Sequence, residues 1–357
     1  MRRSDPIIIG AGPAGCAAAI TLAKGGARPL ILERSTETGD ALCGGFLSWR
    51  TIKSLARLGV SPDGHPVDHL TVFWGGRTAS APLPERALGL SRRAMDTALL
   101  SAAVQAGAGL ERGVMVRHLE DLAGRTDTVF LATGKYDLKG AERPRTARDP
   151  AMGLRVRLPA SASLNRLVGA AIELHMFDRG YAGIELQEDG SANICLALRK
   201  SLLTEHGRDP RGLLQSLGRT HKAFGARLES LTEATPIDAI AAVPYGWHAR
   251  QTTPGVFRIG DQAGVIPSLA GEGNGIALAS GRSAAEAFLA GGREEAPYWQ
   301  ARFGRQSGRP IGRAAAIWHL SEFAAGRGLI LLALSLFPGL GPAMASATRH
   351  NRRGRRR

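Results

Sequence analysis

The sequence predicts an α/β architecture: a Rossmann-type unit with a nucleotide site, an antiparallel β-sheet inserted into it, and a C-terminal helical segment. Three observations predict it. A β-branched run at Ile7 leads into Gly10, Gly12 and Gly15 at G-x-G-x-x-G spacing, and Cys16-Ala-Ala-Ala-Ile-Thr-Leu-Ala continues as a helix. Between Met152 and Leu198 apolar and polar residues alternate with period two. Beyond Tyr298 the apolar residues recur at helical spacing.

Each glycine of the opening turn has a task. Gly10 allows the tight turn, Gly12 lets the backbone approach a pyrophosphate, and Gly15 lets helix and strand pack closely. Pro13 and Ala14 start the helix, whose free N–H groups and positive dipole end face the phosphates. Glu33 closes the second apolar run, Leu30-Ile31-Leu32, where a carboxylate binds a ribose hydroxyl pair, and Arg34 follows it. An ADP-bearing ligand is expected.

Composition narrows the class. The chain has 357 residues, 44% hydrophobic and 22% charged, enough for two domains with a sizeable core. The net charge of +15 includes six arginines in the last nine residues, and only six of the 46 basic residues are lysines. Basic residues are not interleaved with aromatic ones as in a base-stacking surface, so no nucleic-acid partner is expected. Cys16, Cys43 and Cys195 are few and far apart, which fits a reducing, cytoplasmic compartment and offers neither a disulfide framework nor a metal site.

Along the chain, Trp49 to Leu58 reads as a helix ended by Gly59. Leu70 to Trp74 and Ala79 to Leu83 form a hairpin around Gly75-Gly76, and Ser91 caps a helix that runs through Ala106. Val114 to Leu119 and Val129 to Leu131 read as strands, the second running into Ala132-Thr133-Gly134. In the insert, strands are expected over Gly153 to Leu158, Ala171 to Phe177, Tyr181 to Gln187 and Ala192 to Leu198, as a sheet with one covered face. Leu213 to Leu231 reads as one amphipathic helix. The first unit resumes with Val256 to Ile259 and Gly260-Asp261, and Gly273-Asn274-Gly275 opens a helix from Ile276 to about Leu289. Helices at Tyr298 to Arg305, Ala314 to Ala325 and Gly328 to Phe337 follow. The last is too short to span a bilayer, and either packs in the core or lies peripherally on the inner face of the membrane, assisted by the arginine tail. The expected division is 1–70, 91–150 and 250–305 for the nucleotide unit, 71–90 and 151–249 for the substrate unit, 306–348 for C-terminal helices and 349–357 for a basic tail.

Gly10 to Gly15, Cys43-Gly44-Gly45, Arg92 and Gly260-Asp261, taken in this order, resemble the geranylgeranyl-reductase-like flavoproteins, within the superfamily of the class A flavin monooxygenases. The resemblance covers roughly residues 5–290; its most specific motifs are GAGPAG and GDQAGVIPSLAGEGNGIAL. It implies FAD as cofactor and NAD(P)H as electron donor. By this resemblance Asp261, after Gly260, binds the ribityl chain. Pro267, Gly271, Gly273, Asn274, Gly275 and Ile276 line the isoalloxazine ring. Arg92, Gly44 and Gly45 stand beside the cofactor, Met115 and Val116 hold the adenine, and Thr133 and Gly134 belong to the same set. A helix N-terminus at the ring stabilises the negative charge of reduced flavin.

The sequence also departs from the superfamily's marks. Gly264 stands where aromatic hydroxylases carry a histidine, and Ala132-Thr-Gly-Lys-Tyr136 replaces their aspartate-glycine motif. Gly180-Tyr-Ala-Gly-Ile-Glu185 only echoes the tyrosine-tryptophan motif of prenyl reductases. Two readings therefore stand: a monooxygenase that hydroxylates an aromatic or polyketide-like molecule, and a reductase of lipid or isoprenoid C=C bonds. A flavin-binding protein without turnover is the non-enzymatic alternative.

Cys43, Tyr181 and Tyr245 are the candidate catalytic residues, Cys43 as a proton donor or substrate contact beside the flavin. Trp247 is expected near the domain interface, His175 as a surface or satisfied sheet residue, and Glu185 as a solvated strand residue.

Overall fold

Three residues suffice for the first strand, β1 (Ile7–Ile9), because it is buried on both faces between parallel neighbours. The computed structural model describes residues 5–336; the expectations for Phe337 and for the arginine tail lie outside the described residues. The glycine turn enters α1 (Pro13–Lys24), and β2 (Leu30–Glu33) follows. Next come β3 (Phe46–Leu47), α2 (Trp49–Leu58), β4 (His65–Trp74), β5 (Arg77–Gly89), α3 (Arg92–Gln105), β6 (Gly109–Arg112) and β7 (Val129–Leu131). The insert holds β8 (Ala151–Leu158), α4 (Ala162–Val168), β9 (Ala171–Phe177), β10 (Gly180–Leu186), β11 (Ala192–Arg199), α5 (Lys200–Glu205), α6 (Pro210–Thr220), α7 (Lys222–Arg227) and β12 (Ile237–Val243). β13 (Val256–Arg258), α8 (Gly273–Gly291), α9 (Glu295–Ser321) and α10 (Ala324–Leu336) complete the chain.

Sheet A is parallel, in the order β13-β7-β1-β2-β6, with Ile8 opposite both Ile31 and Phe130. The edge beside β2 belongs to Gly109–Arg112, so Val114 to Leu119, expected as a strand, runs outside the sheet and makes only a single bridge from His118 to Lys139.

Sheet B has eight strands in the order β12-β8-β11-β10-β9-β4-β5-β3. It is antiparallel except where β4 meets β9, with Leu70 opposite Ile172. Those strands are far apart in sequence, so a long crossover joins them and no hairpin imposes opposite directions. The sheet also takes in Phe46–Leu47 and begins β4 at His65, segments that the expected division put with the nucleotide unit.

Both faces of sheet B are covered, not one. Leu154, Val156, Ile184 and Ile194 pack with Leu213, Leu217 and Phe224 of α6 and α7, while Ile172, Leu174 and Met176 face a cavity on the other side. His175 is a buried sheet residue: it stacks on Phe73 at 4.4 Å and its Nε2 shares Glu173, 2.9 Å away, with Arg227, while its Nδ1 has no hydrogen-bond partner among the described residues. Burial lowers the His175 pKa, and the bond to Glu173 opposes that shift.

Two helical expectations are corrected. Leu213 to Leu231 is two short helices that break at His221, letting Gly218 and Gly225 come into direct backbone contact. Tyr298 to Arg305 and Ala314 to Ala325 instead belong mostly to one helix, α9, which carries Pro310 in its interior. Among the described residues, no single helix is long and apolar enough to cross a membrane.

Candidate active site

Two helix N-termini opened by glycine, those of α1 and α8, meet at one cavity of about 1030 Å³. Gly12 is the N-cap of α1 and carries no side chain to occupy the free N–H groups; Glu272, the N-cap of α8, makes no side-chain capping bond. The convergence depends on glycine. A Cβ on Gly10 (φ +105°) would stand 2.6 Å from Ala132 O, one on Gly260 would touch Ala14, and one on Gly281 would run into Ala14 O. The turn after β1, the end of β7 and both helices therefore close around the same space.

Glu33 reaches back to this turn. Its Oε2 accepts from Ala11 N at 2.8 Å and its Oε1 from Ser35 N at 2.9 Å, which holds the carboxylate at the cavity wall. Ser91 caps α3 by accepting from Ala94 N, and Arg92 forks onto Asp96 at 3.0 and 2.7 Å. Arg92 Nη2 lies 3.8 Å from the position of a Cβ on Gly12, so the guanidinium sits over the glycine turn. Burial raises the Asp96 pKa and Arg92 opposes the shift.

The loop from Cys43 to Gly45 forms another part of the wall. Asn193 Nδ2 on β11 donates to Cys43 O at 3.1 Å and to Gly44 O at 2.8 Å, and Lys135 Nζ donates to Leu42 O at 2.8 Å. Cys43 Sγ receives Gly45 N at 3.5 Å and Asn274 Nδ2 at 3.7 Å, so the thiol touches the opening of α8.

Glu185 corrects an expectation. It is fully buried, not solvated, and neither carboxyl oxygen has a hydrogen-bond partner among the described residues. Burial first, then the nearby Cys43 and Glu188, push its pKa well above the ordinary 4.5, which favours the neutral acid.

Deeper in the cavity, Tyr181 Oη donates to Ser268 Oγ at 2.8 Å, and Tyr245 Oη is 2.7 Å from the same oxygen. Trp318 packs edge-on against both rings, at 5.9 and 5.7 Å. Burial pushes Tyr245 up to about 12 and Tyr181 well above 10, so both phenols stay protonated. The surrounding wall is apolar: Leu70, Val72, Leu174 and Met176 from sheet B, and Ile330 and Leu334 from α10.

Of the residues singled out from sequence, Gly10, Gly12, Pro13, Ala14, Glu33, Arg34, Cys43, Gly44, Gly45, Arg92, Val116, Thr133, Gly134, Tyr181, Tyr245, Gly260, Asp261, Gly271, Gly273 and Asn274 line this cavity. Gly15, Pro267, Gly275 and Ile276 do not. Gly15 packs against Gly10 and Ile8, Gly275 faces Glu272 and Thr51, and Pro267 and Ile276 are buried in the protein. Trp247 stands outside the wall with the Arg143 guanidinium 6.0 Å from its ring. Sequence reasoning missed Asp96, Lys135, Cys195 and Ser268. Cys195 was detectable, since it lies opposite Gly183 on the cavity face; burial pushes its thiol up to about 12.

The residues fit FAD. Two helix N-termini without side-chain caps offer N–H donors to one cavity, a carboxylate and an arginine lie beside the first, and glycines let the elements around it approach closely. The comparisons agree. A family model described as an FAD binding domain matches residues 3–137. The chain is similar to digeranylgeranylglycerophospholipid reductase 2 of Methanopyrus kandleri, 26% identical over 313 residues, covering 79% of this chain and 76% of the relative. An uncharacterized Methanosarcina barkeri protein from the nifH2 5' region is 32% identical over 170 residues, 42% of this chain and 88% of that protein. The fold matches the solved structure of a geranylgeranyl bacteriochlorophyll reductase-like protein from Thermoplasma acidophilum, with a TM-score of 0.72 at 17% identity, covering 93% of this chain and 91% of that one. The chain is thus an FAD-dependent oxidoreductase with an FAD binding domain, similar to the geranylgeranyl-reductase-like flavoproteins.

Proposed function

We propose that this enzyme acts on a long, apolar, lipid-like molecule and reduces its C=C bonds. The observation that carries the reading is the continuity of the cavity, from the α8 opening and Cys43 into a chamber walled by sheet B and α10. The reductase named for the Methanopyrus relative, which aligns over most of the chain, supports the same choice. FAD, when bound and reduced, supplies a hydride. The chain's own residues supply the rest. Sheet B and α10 exclude water and align the substrate, and the Cys43 thiol, facing the same space, donates the proton needed by the second carbon of the bond. NAD(P)H is the proposed electron source.

Hydroxylation of an aromatic or polyketide-like substrate is the second reading, favoured by the hydroxyls of Tyr181, Tyr245 and Ser268, which can hold a phenolic oxygen. Turnover in labelled O₂, with mass analysis of the product, tests the choice. A gain of two hydrogens supports reduction, whereas one labelled oxygen in the product overturns it in favour of hydroxylation.

We also propose peripheral contact with the inner face of the cytoplasmic membrane. Phe323, just before α10, and Leu329, Leu332 and Leu336 on it are exposed at 68%, 56%, 54% and 62%, while Ile330 and Leu334 of α10 line the cavity. The helix thus offers one apolar face to a bilayer and the other to the substrate, and the six terminal arginines suit anionic lipid.

A further inference from the structure

We propose that Tyr181, Ser268 and Tyr245 form an oxygen anchor, which selects substrates that carry a hydrogen-bond acceptor at one end of an otherwise apolar body. The inference rests on the apolar-substrate reading and deepens it by naming the substrate's polar end.

The case is a count of protons. Three hydroxyls carry three O–H donors. Two hydrogen bonds join them, Tyr181 to Ser268 at 2.8 Å and Tyr245 with Ser268 at 2.7 Å. Two donors are consumed, so one remains. If Tyr245 donates to Ser268, the spare proton is on Ser268; if Ser268 donates to Tyr245, it is on Tyr245. Either way it stays within the cavity, because both residues line it. The Ser268 backbone N–H also donates to Tyr245, which takes up an acceptor site and leaves the count of O–H donors unchanged.

The surroundings make that donor selective. Trp318 packs edge-on against both phenol rings, and the side chains of Leu174, Leu269, Ile330 and Leu334 supply no acceptor. Water satisfies the donor while the cavity is open. A bound hydrocarbon displaces that water and leaves the donor unpaired; a carbonyl or hydroxyl oxygen on the ligand replaces it. The burial that keeps both tyrosines protonated leaves the donor in place throughout the neutral range. Ser268 also precedes the Gly271–Gly275 stretch at the α8 opening, so an oxygen held here places the apolar body relative to the cofactor end of the cavity.

The test uses the full-length flavoprotein and three probes with the same alkyl chain: nonylbenzene, para-nonylphenol and para-nonylacetophenone. Binding is followed by perturbation of the flavin absorbance. In the wild type, phenol and acetophenone bind at least about tenfold more tightly relative to nonylbenzene than they do in the Tyr181→Phe/Ser268→Ala/Tyr245→Phe variant. The acetophenone, which accepts but cannot donate, tests the counted proton and needs only the wild type, so the proposal can fail even if the variant does not fold. No preference for acetophenone over nonylbenzene in the wild type, or an undiminished preference in the variant, overturns the anchor alone. Failure of all three probes to bind overturns the apolar-substrate reading and the anchor with it.

Discussion

Glu185 Oε1 occupies the space into which a side chain on Gly45 would grow, although one residue belongs to sheet B and the other to the loop that follows β2. Gly45 also has φ +79°, in the left-handed region. Gly45→Ala is therefore expected to destabilise the protein by about 1–3 kcal/mol, since the alanine meets both strain and the carboxyl. An unchanged thermal midpoint would mean that the loop does not press on Glu185.

Replacing Glu185 itself has the opposite sign, and the effect depends on pH. The unfolded side chain ionises near pH 4.3, whereas the buried native one keeps its proton well above that. Over that interval the native state binds the extra proton, so stability falls as pH rises, by up to about 1.4 kcal/mol per pH unit. Glu185→Gln removes this slope. Its thermal midpoint is expected to exceed the wild type's by a margin that widens from pH 5 to pH 7. A constant margin across that range would show that the native carboxyl is already ionised.

Glu33, proposed to bind the ribose, is held at the cavity wall by Ala11 and Ser35. Glu33→Ala is expected to weaken FAD binding about tenfold, or about 1.4 kcal/mol, as read by titration of the apoprotein. Retention of wild-type affinity would remove Glu33 from the cofactor site.

Cys43→Ala is expected to lower turnover about a hundredfold or more while leaving the bound flavin spectrum intact, the usual scale for loss of a proton donor. Cys43→Ser should recover part of the loss. Full activity in the alanine variant would assign the proton to another group.

Leu329→Glu/Leu332→Glu/Leu336→Glu is expected to abolish co-sedimentation with phosphatidylglycerol vesicles without shifting the thermal midpoint, because these side chains are half or more exposed. Deletion of Arg349 to Arg357 should weaken binding mainly at low salt. Unchanged vesicle binding by the triple variant would exclude α10 as the docking face.

Local glycine and cap chemistry was legible in the sequence. Gly10, Gly12 and Gly15, the Ser91 cap and the Gly75-Gly76 hairpin each depend on neighbours a few residues away, and each stands where the pattern put it. Residues whose environment is made by distant chain were not. Glu185 alternates like a half-exposed strand residue, and only the arrival of the Gly45 loop buries it. Ser268 gave no signal until Tyr181 and Tyr245 converged on it from separate strands and loops. The break at His221 likewise depends on Gly218 meeting Gly225, a contact that helical periodicity does not register.

The seam between α1 and α8, where Gly281 lies against Ala14 O, bears on how the protein is made. The opening helix, residues 13–24, leaves the ribosome well before its packing partner at residues 273–291. β13, the strand that closes sheet A, is also late, at residues 256–258. A nascent chain thus carries the glycine turn and α1, packed at most against α2, α3 and the early strands, before the α8 face of that helix is covered. Such non-local closure slows folding, and the cavity is complete only after β13 and α8 have emerged.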